Sequence, residues 1–193
     1  MMRRKEGGLG HRSRTTKSPA SGRARLKVWV AMGSDSDLPI MQEAVRMLEE
    51  FGITAEVDVT SAHRTPEVTA RLARAAEKNG FGAIIVGAGH AAHLAGVVAA
   101  HTILPVIGVP LPSSALQGLD ALLATVQMPG DVPVATVAIS RSGAQNAGIL
   151  AAQILATGDA GLRRRLHDYK AGLAAKVIAR NRALKRAGNR PAS

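Results

Sequence analysis

The sequence predicts a three-layer α/β/α fold, a doubly wound parallel sheet of five strands in the order 2-1-3-4-5 with a C-terminal helical extension. Three observations carry that expectation. From Leu26 onward, short apolar runs alternate with stretches of helical spacing, the pattern of repeated strand–helix–strand units. The run GAIIVGAG at 82–89 is apolar throughout, as a strand covered on both faces must be. Five such strands joined by right-handed crossovers commonly take the order 2-1-3-4-5.

The elements follow in turn. LKVWVAM (26–32) is the first strand, ended by Gly33. Ile40, Met41, Ala44, Val45 and Leu48 then recur at helical spacing, with Asp37 placed as an N-cap. AEVDVT (55–60) is the second strand. Thr65-Pro66 supplies an N-cap and a proline at the first helical position of a helix running to Asn79-Gly80. After the third strand come a helix over about 92–101, the strand PVIGVP (105–110), a short helix at 118–126, the strand VPVATVAI (132–139) and a helix at 143–156. Leu162, Leu166, Leu173, Val177, Ile178 and Leu184 mark a basic helix over 159–187, whose apolar stripe needs a surface to pack on.

Three segments follow from this reading: a disordered basic extension at 1–25, a catalytic α/β domain at 26–158, and a basic helix and tail at 159–193. Charge separates them. The chain of 193 residues has a net charge of +11, but 1–25 carry +7, 159–193 carry +8 and the body between them −4. A mildly acidic body is a poor nucleic-acid groove, and Tyr169 is the only aromatic residue in either end, too few for base stacking. Nucleic acid is therefore not an expected partner. The absence of Cys excludes disulfides, thiolate nucleophiles and zinc–thiolate sites. No apolar run reaches the roughly 20 residues of a membrane span, and the N-terminus lacks the apolar stretch of a secretory signal. The expected setting is cytoplasmic.

In such sheets ligands bind beyond the carboxyl ends of the strands, where three loops stand out. Gly33-Ser34-Asp35-Ser36-Asp37 combines a tight turn, two hydroxyls and a helix start suited to a phosphate, with Asp37 suited to ribose hydroxyls. Ser61-Ala62-His63-Arg64-Thr65-Pro66 sets an imidazole beside a guanidinium, a proton carrier beside a phosphate clamp. Gly87-Ala88-Gly89-His90-Ala91-Ala92-His93 formally matches a dinucleotide fingerprint. It follows the third strand rather than the first, however, and no acid stands about twenty residues later to hold a ribose. Its glycines are better read as letting the backbone approach a small ligand. His90, His93 and His101 have no accompanying carboxylate for a metal site, and there is neither a Walker motif nor a serine-nucleophile elbow.

At these loops the sequence resembles the N5-carboxyaminoimidazole ribonucleotide mutase family of purine biosynthesis. GSDSD, SAHRTPE, GAGHAAHLAG, PVIGVPL, ALQGLDALL and VQMPGDVPVATVAI occur in order across about 27–157. The resemblance implies a flavodoxin-like subunit, a homo-octamer with shared active sites, and a nucleotide substrate. It implies conversion of N5-carboxyaminoimidazole ribonucleotide to 4-carboxy-5-aminoimidazole ribonucleotide with neither metal, ATP nor another cofactor. By position, the resemblance makes His63 the general acid/base, Ser36, Ser61 and Arg64 the phosphate binders with Ser34 lining the same loop, and Asp37 the ribose ligand. Gly89 and His93 wall the migrating carboxyl group. The family pattern has Gly where this chain has His90 and Pro where it has Ala95. A related carboxylase uses free CO2, but those proteins read SAHK and AGRSN where this chain reads SAHR and GAGHAAH. A nucleic-acid-binding module built on the basic ends is the alternative from another class.

Overall fold

The structure, a computed structural model, describes residues 26–188; the extension expected at 1–25 and the last five residues of the tail lie outside the described residues. Five parallel strands form one sheet in the order β2-β1-β3-β4-β5. They are β1 (Lys27–Met32), β2 (Thr54–Val59), β3 (Phe81–Gly89), β4 (Val106–Leu111) and β5 (Ala135–Thr136). The helices are α1 (Leu38–Glu50), α2 (Pro66–Ala75), α3 (Leu94–Ala99), α4 (Leu119–Val126), α5 (Ser140–Ala156) and α6 (Ala160–Gly188).

The layers follow from the period of two along each strand. In β1, Val28, Val30 and Met32 face one core with Met41, Leu48, Phe51 and the alanines of α5. Trp29 and Ala31 face the other, with Ala73, Leu94, Val98 and Ala121 of α2, α3 and α4. Both faces are covered, which is why β3 and β4 are almost entirely buried. With few aromatics available, the first core closes by bringing helices together on small residues. Gly143, Ala144, Ala147, Gly148, Ala151 and Ala152 of α5 are all buried. A Cβ added at Gly148 would lie 2.8 Å from the Ala44 carbonyl oxygen of α1, so the two backbones nearly touch.

Three elements depart from expectation. The helix after β2 runs only to Ala75, a turn to Gly80 (φ +82°) replacing its last residues. The strand expected over 132–139 contracts to Ala135–Thr136, paired with Ile107 and Gly108 of β4. The reason is local: Pro133 has no N–H to donate, and the chain turns into α5 at Ser140, whose φ is +72°. Finally, Asp37 precedes α1 but makes no side-chain cap to it; its carboxylate turns back into the preceding loop.

Helix α6 behaves as two halves. Leu162 is fully buried, and Leu166 and Tyr169 pack against the first core, Tyr169 edge-on to Phe51. Leu173, Val177, Ile178 and Leu184 continue beyond that contact and are exposed. Arg165 Nε ties the inner half down by donating to the Phe51 carbonyl at 3.0 Å.

Candidate active site

The switch in strand order falls between β1 and β3, whose crossover helices leave on opposite faces and open a crevice at the carboxyl ends. A cleft of about 540 Å³ lies there, lined by the loops after β1, β2, β3 and β4. All eight residues expected at the site, Ser34, Ser36, Asp37, Ser61, His63, Arg64, Gly89 and His93, line it.

The β1 loop is a single 3-10 turn, Asp35–Asp37, closed by a reciprocal capping box. Ser34 Oγ accepts from the Ser36 N–H at 3.3 Å, and the Asp37 carboxylate accepts from the Ser34 N–H at 3.1 Å. The Ser36 hydroxyl donates to Ser34 Oγ at 2.8 Å, setting both hydroxyls side by side at the cleft. Asp37 is only 8% exposed. Burial pushes its carboxyl above the usual carboxylate range, with the Ser34 N–H opposing that rise.

The β2 loop is also self-bonded. Thr65 does not cap α2 with its side chain; its hydroxyl instead accepts from the Ser61 N–H at 2.9 Å and donates to the Ser61 carbonyl at 3.1 Å. Ser61 Oγ accepts from the Arg64 N–H at 3.2 Å. The Arg64 guanidinium donates to the Gly33 carbonyl at 3.2 Å, locking this loop to the first. Two hydroxyl-bearing loops and a guanidinium thus converge on one end of the cleft. That arrangement suits a phosphate.

His63 Nε2 lies 2.8 Å from His93 Nδ1, one ring donating and the other accepting, with the rings edge-on at 79°. The sequence placed both residues at the site but gave no sign that they touch, since 30 residues separate them and the pairing of β1 with both neighbours brings them together. At Gly89, which lines the cleft, a Cβ would lie 1.6 Å from Ser113 Oγ, so the absent side chain makes room for Ser113. Ser113, on the β4 loop, is the site residue that sequence reasoning missed; its only signal was its place in the Pro- and Ser-rich stretch after β4. It bonds His90 Nδ1 at 3.1 Å. The three histidines weighed as a metal site do not assemble: His90 meets Ser113, His93 meets His63, and His101 lies in a separate depression with Arg74 and Glu77.

A doubly wound α/β domain with two hydroxyl-bearing loops, a guanidinium and a pair of touching imidazoles at its topological switch point defines a class: α/β enzymes whose site lies beyond the carboxyl ends of the strands. Comparison with known proteins narrows the class. Residues 27–176 match the family described as AIR carboxylase, and the chain belongs to that family. It is 51% identical over 162 residues to the N5-carboxyaminoimidazole ribonucleotide mutase of Thermotoga maritima, covering 84% of this chain and 94% of that protein. To the mutase of the same name from Mycobacterium tuberculosis H37Rv it is 53% identical over 169 residues, covering 88% and 95%. Among solved structures, Treponema denticola PurE superposes with a TM-score of 0.74 at 28% identity, covering 83% of this chain and 99% of that one.

Proposed function

We propose that this chain interconverts N5-carboxyaminoimidazole ribonucleotide and 4-carboxy-5-aminoimidazole ribonucleotide, a step of purine biosynthesis, with His63 as the proton carrier. The observation that carries this reading is the His63–His93 contact at 2.8 Å, set between an anion cradle and a glycine-bearing strand end. Two relatives at about half identity are themselves named as mutases. The Ser61-Ala62-His63-Arg64 loop and, apart from His90, the Gly87–His93 loop match the mutase pattern rather than SAHK and AGRSN.

The chemistry is conservative in atoms. Protonated His63 gives its proton to the exocyclic nitrogen, the N–C bond to the carboxylate breaks, and CO2 and an aminoimidazole remain in the cleft. Ring carbon C4, an enamine-like nucleophile, attacks the retained CO2 and forms the new C–C bond. Neutral His63 then takes the proton from C4 and is ready for another turn. One imidazole, giving a proton and then taking one back, suffices for both transfers, and retention of CO2 is a proximity effect. His93 fixes the orientation of the His63 ring. Ser34, Ser36, Ser61 and Arg64 hold the phosphate, and Asp37 the ribose.

An assembly of eight copies with shared sites completes the proposal. Leu116, Leu119, Leu123 and Val126 line one exposed side of α4 and its approach, and the outer half of α6 adds a second apolar surface; both suit burial between copies. A cytoplasmic setting belongs to the same reading; among the described residues no helix is long and apolar enough to cross a membrane. The test is turnover of each carboxylated ribonucleotide into the other by the purified chain at low bicarbonate and without ATP. Activity that requires added bicarbonate and starts from the uncarboxylated ribonucleotide would instead establish the CO2-dependent carboxylase. Sedimentation gives the assembly size.

A further inference from the structure

His90 stands at a backbone position that few residues with a side chain adopt. Its φ is +53°, the left-handed region in which a side chain is uncommon and glycine is at ease. Such outliers persist where the surroundings hold them, and they gather at functional sites. Here the surroundings are specific. The ring lines the cleft on the wall opposite the Arg64 cradle, and Ser113 Oγ bonds its Nδ1 at 3.1 Å. Gly89 beside it is the residue that leaves Ser113 room to reach it. With Nδ1 occupied, Nε2 is the ring atom left to meet a ligand; when Ser113 donates, Nε2 carries the proton and is a donor.

The cleft has a need for such a donor. A carboxylated ribonucleotide brings two anionic groups, the phosphate and the carboxylate. Among the described residues lining the cleft, Arg64 is the one permanently cationic side chain, and it sits with the hydroxyls of the β1 and β2 loops. His63 and His93 are engaged with each other. We propose that His90 is a specificity-determining residue, its Nε2–H donating to the substrate carboxylate while Ser113 holds the ring in place. This rests on the ribonucleotide reading above. Asp37 and Asp120 lie within electrostatic range of the ring, so the donor is itself set among acids. An anionic partner that leaves at each turnover is thereby held without being trapped.

The experiment compares binding of aminoimidazole ribonucleotide and 4-carboxy-5-aminoimidazole ribonucleotide to the full chain by calorimetry, with KM and kcat measured alongside. His90→Asn and His90→Gly both tolerate a positive φ, so neither introduces backbone strain. Asn keeps a polar atom near the place of Nδ1 for Ser113 but removes the Nε2 donor. Both variants should bind the carboxylated ligand about tenfold more weakly, raise KM by a similar factor and change kcat less, while affinity for the uncarboxylated ligand stays within about twofold, as loss of one charge-assisted hydrogen bond requires. His90→Gln, which extends a donor toward the Nε2 position, should recover part of the loss. Equal weakening of both ligands, or of neither, overturns the assignment. Failure of the wild-type chain to bind either ligand would instead sink the ribonucleotide reading itself.

Discussion

The two walls of the cleft are built on opposite plans. Loops after β1 and β2 satisfy many of their own polar groups: the Ser34–Asp37 capping box, the Ser61–Thr65 turn and the Arg64 bond to Gly33 form one connected network. The wall after β3 and β4 rests on fewer and less favourable supports, a left-handed His90, a glycine chosen for its missing Cβ, and a single hydroxyl between them. The first wall is held in place by its own bonds, and under the proposed phosphate role that order lowers the cost of binding. The second holds its groups through contacts that one substitution can undo. His63 belongs to the first by chain and to the second by its bond to His93.

The largest expected effect is at that seam. His63→Asn should lower kcat by about a thousandfold, within the range for a lost general acid/base, with ligand affinity largely kept; steady-state turnover and calorimetry measure the two, and a fully active variant would remove His63 from the chemistry. On the preorganised wall, Arg64→Ala should weaken substrate binding by roughly 10- to 100-fold, the worth of charge-assisted hydrogen bonds, with a smaller change in kcat. If affinity were unchanged, the cradle would not be where the phosphate sits. On the other wall, Gly89→Ala forces Ser113 to move and should cost about 1–3 kcal/mol of stability, as overpacking does, together with the His90 contact. Denaturant unfolding reads the first, and loss of discrimination between carboxylated and uncarboxylated ligands reads the second.

The smallest effect concerns stability and pH. Burial raises the Asp37 carboxyl above its ordinary value, so the native chain binds that proton more tightly than the unfolded chain does. Stability therefore falls as pH rises through the raised value, and above it the buried charge is a constant cost. Asp37→Asn should be more stable than the parent at neutral pH, with the difference shrinking as the solution is made acidic and Asp37 takes up its proton. Urea midpoints at several pH values check this; a gap that widens toward acid would mean that the charge is stabilised rather than strained.

Much of this was legible in the sequence because strand ends and the loops after them are local features. GSDSD, SAHRTP and GAGHAAH could each be placed at a carboxyl end from the apolar run before it, and the sheet order then put them side by side. What escaped reading depends on packing. The His63–His93 contact is a product of sheet register. The partnership of Gly89, His90 and Ser113 joins two loops across the β3–β4 pairing, and no spacing in the chain announces it. The eight-residue run 132–139 had the apolar pattern of a full strand, yet Pro133 and the turn at Ser140 leave it two ladder positions. The apolar stripe of α6 was visible; that it outruns the surface it packs on was not.

The contact between α1 and α5 has a consequence for how this protein would look to a geneticist. Along that seam the side chains are already at or near their minimum, with Ala144, Ala147, Gly148 and Ala151 closing the gap. An alanine scan would pass over the seam's own alanines, Ala144, Ala147 and Ala151, in silence. The informative alleles run the other way. A valine at Ala147 or an alanine at Gly148 adds bulk where two backbones meet, so this seam tolerates gain hardly at all.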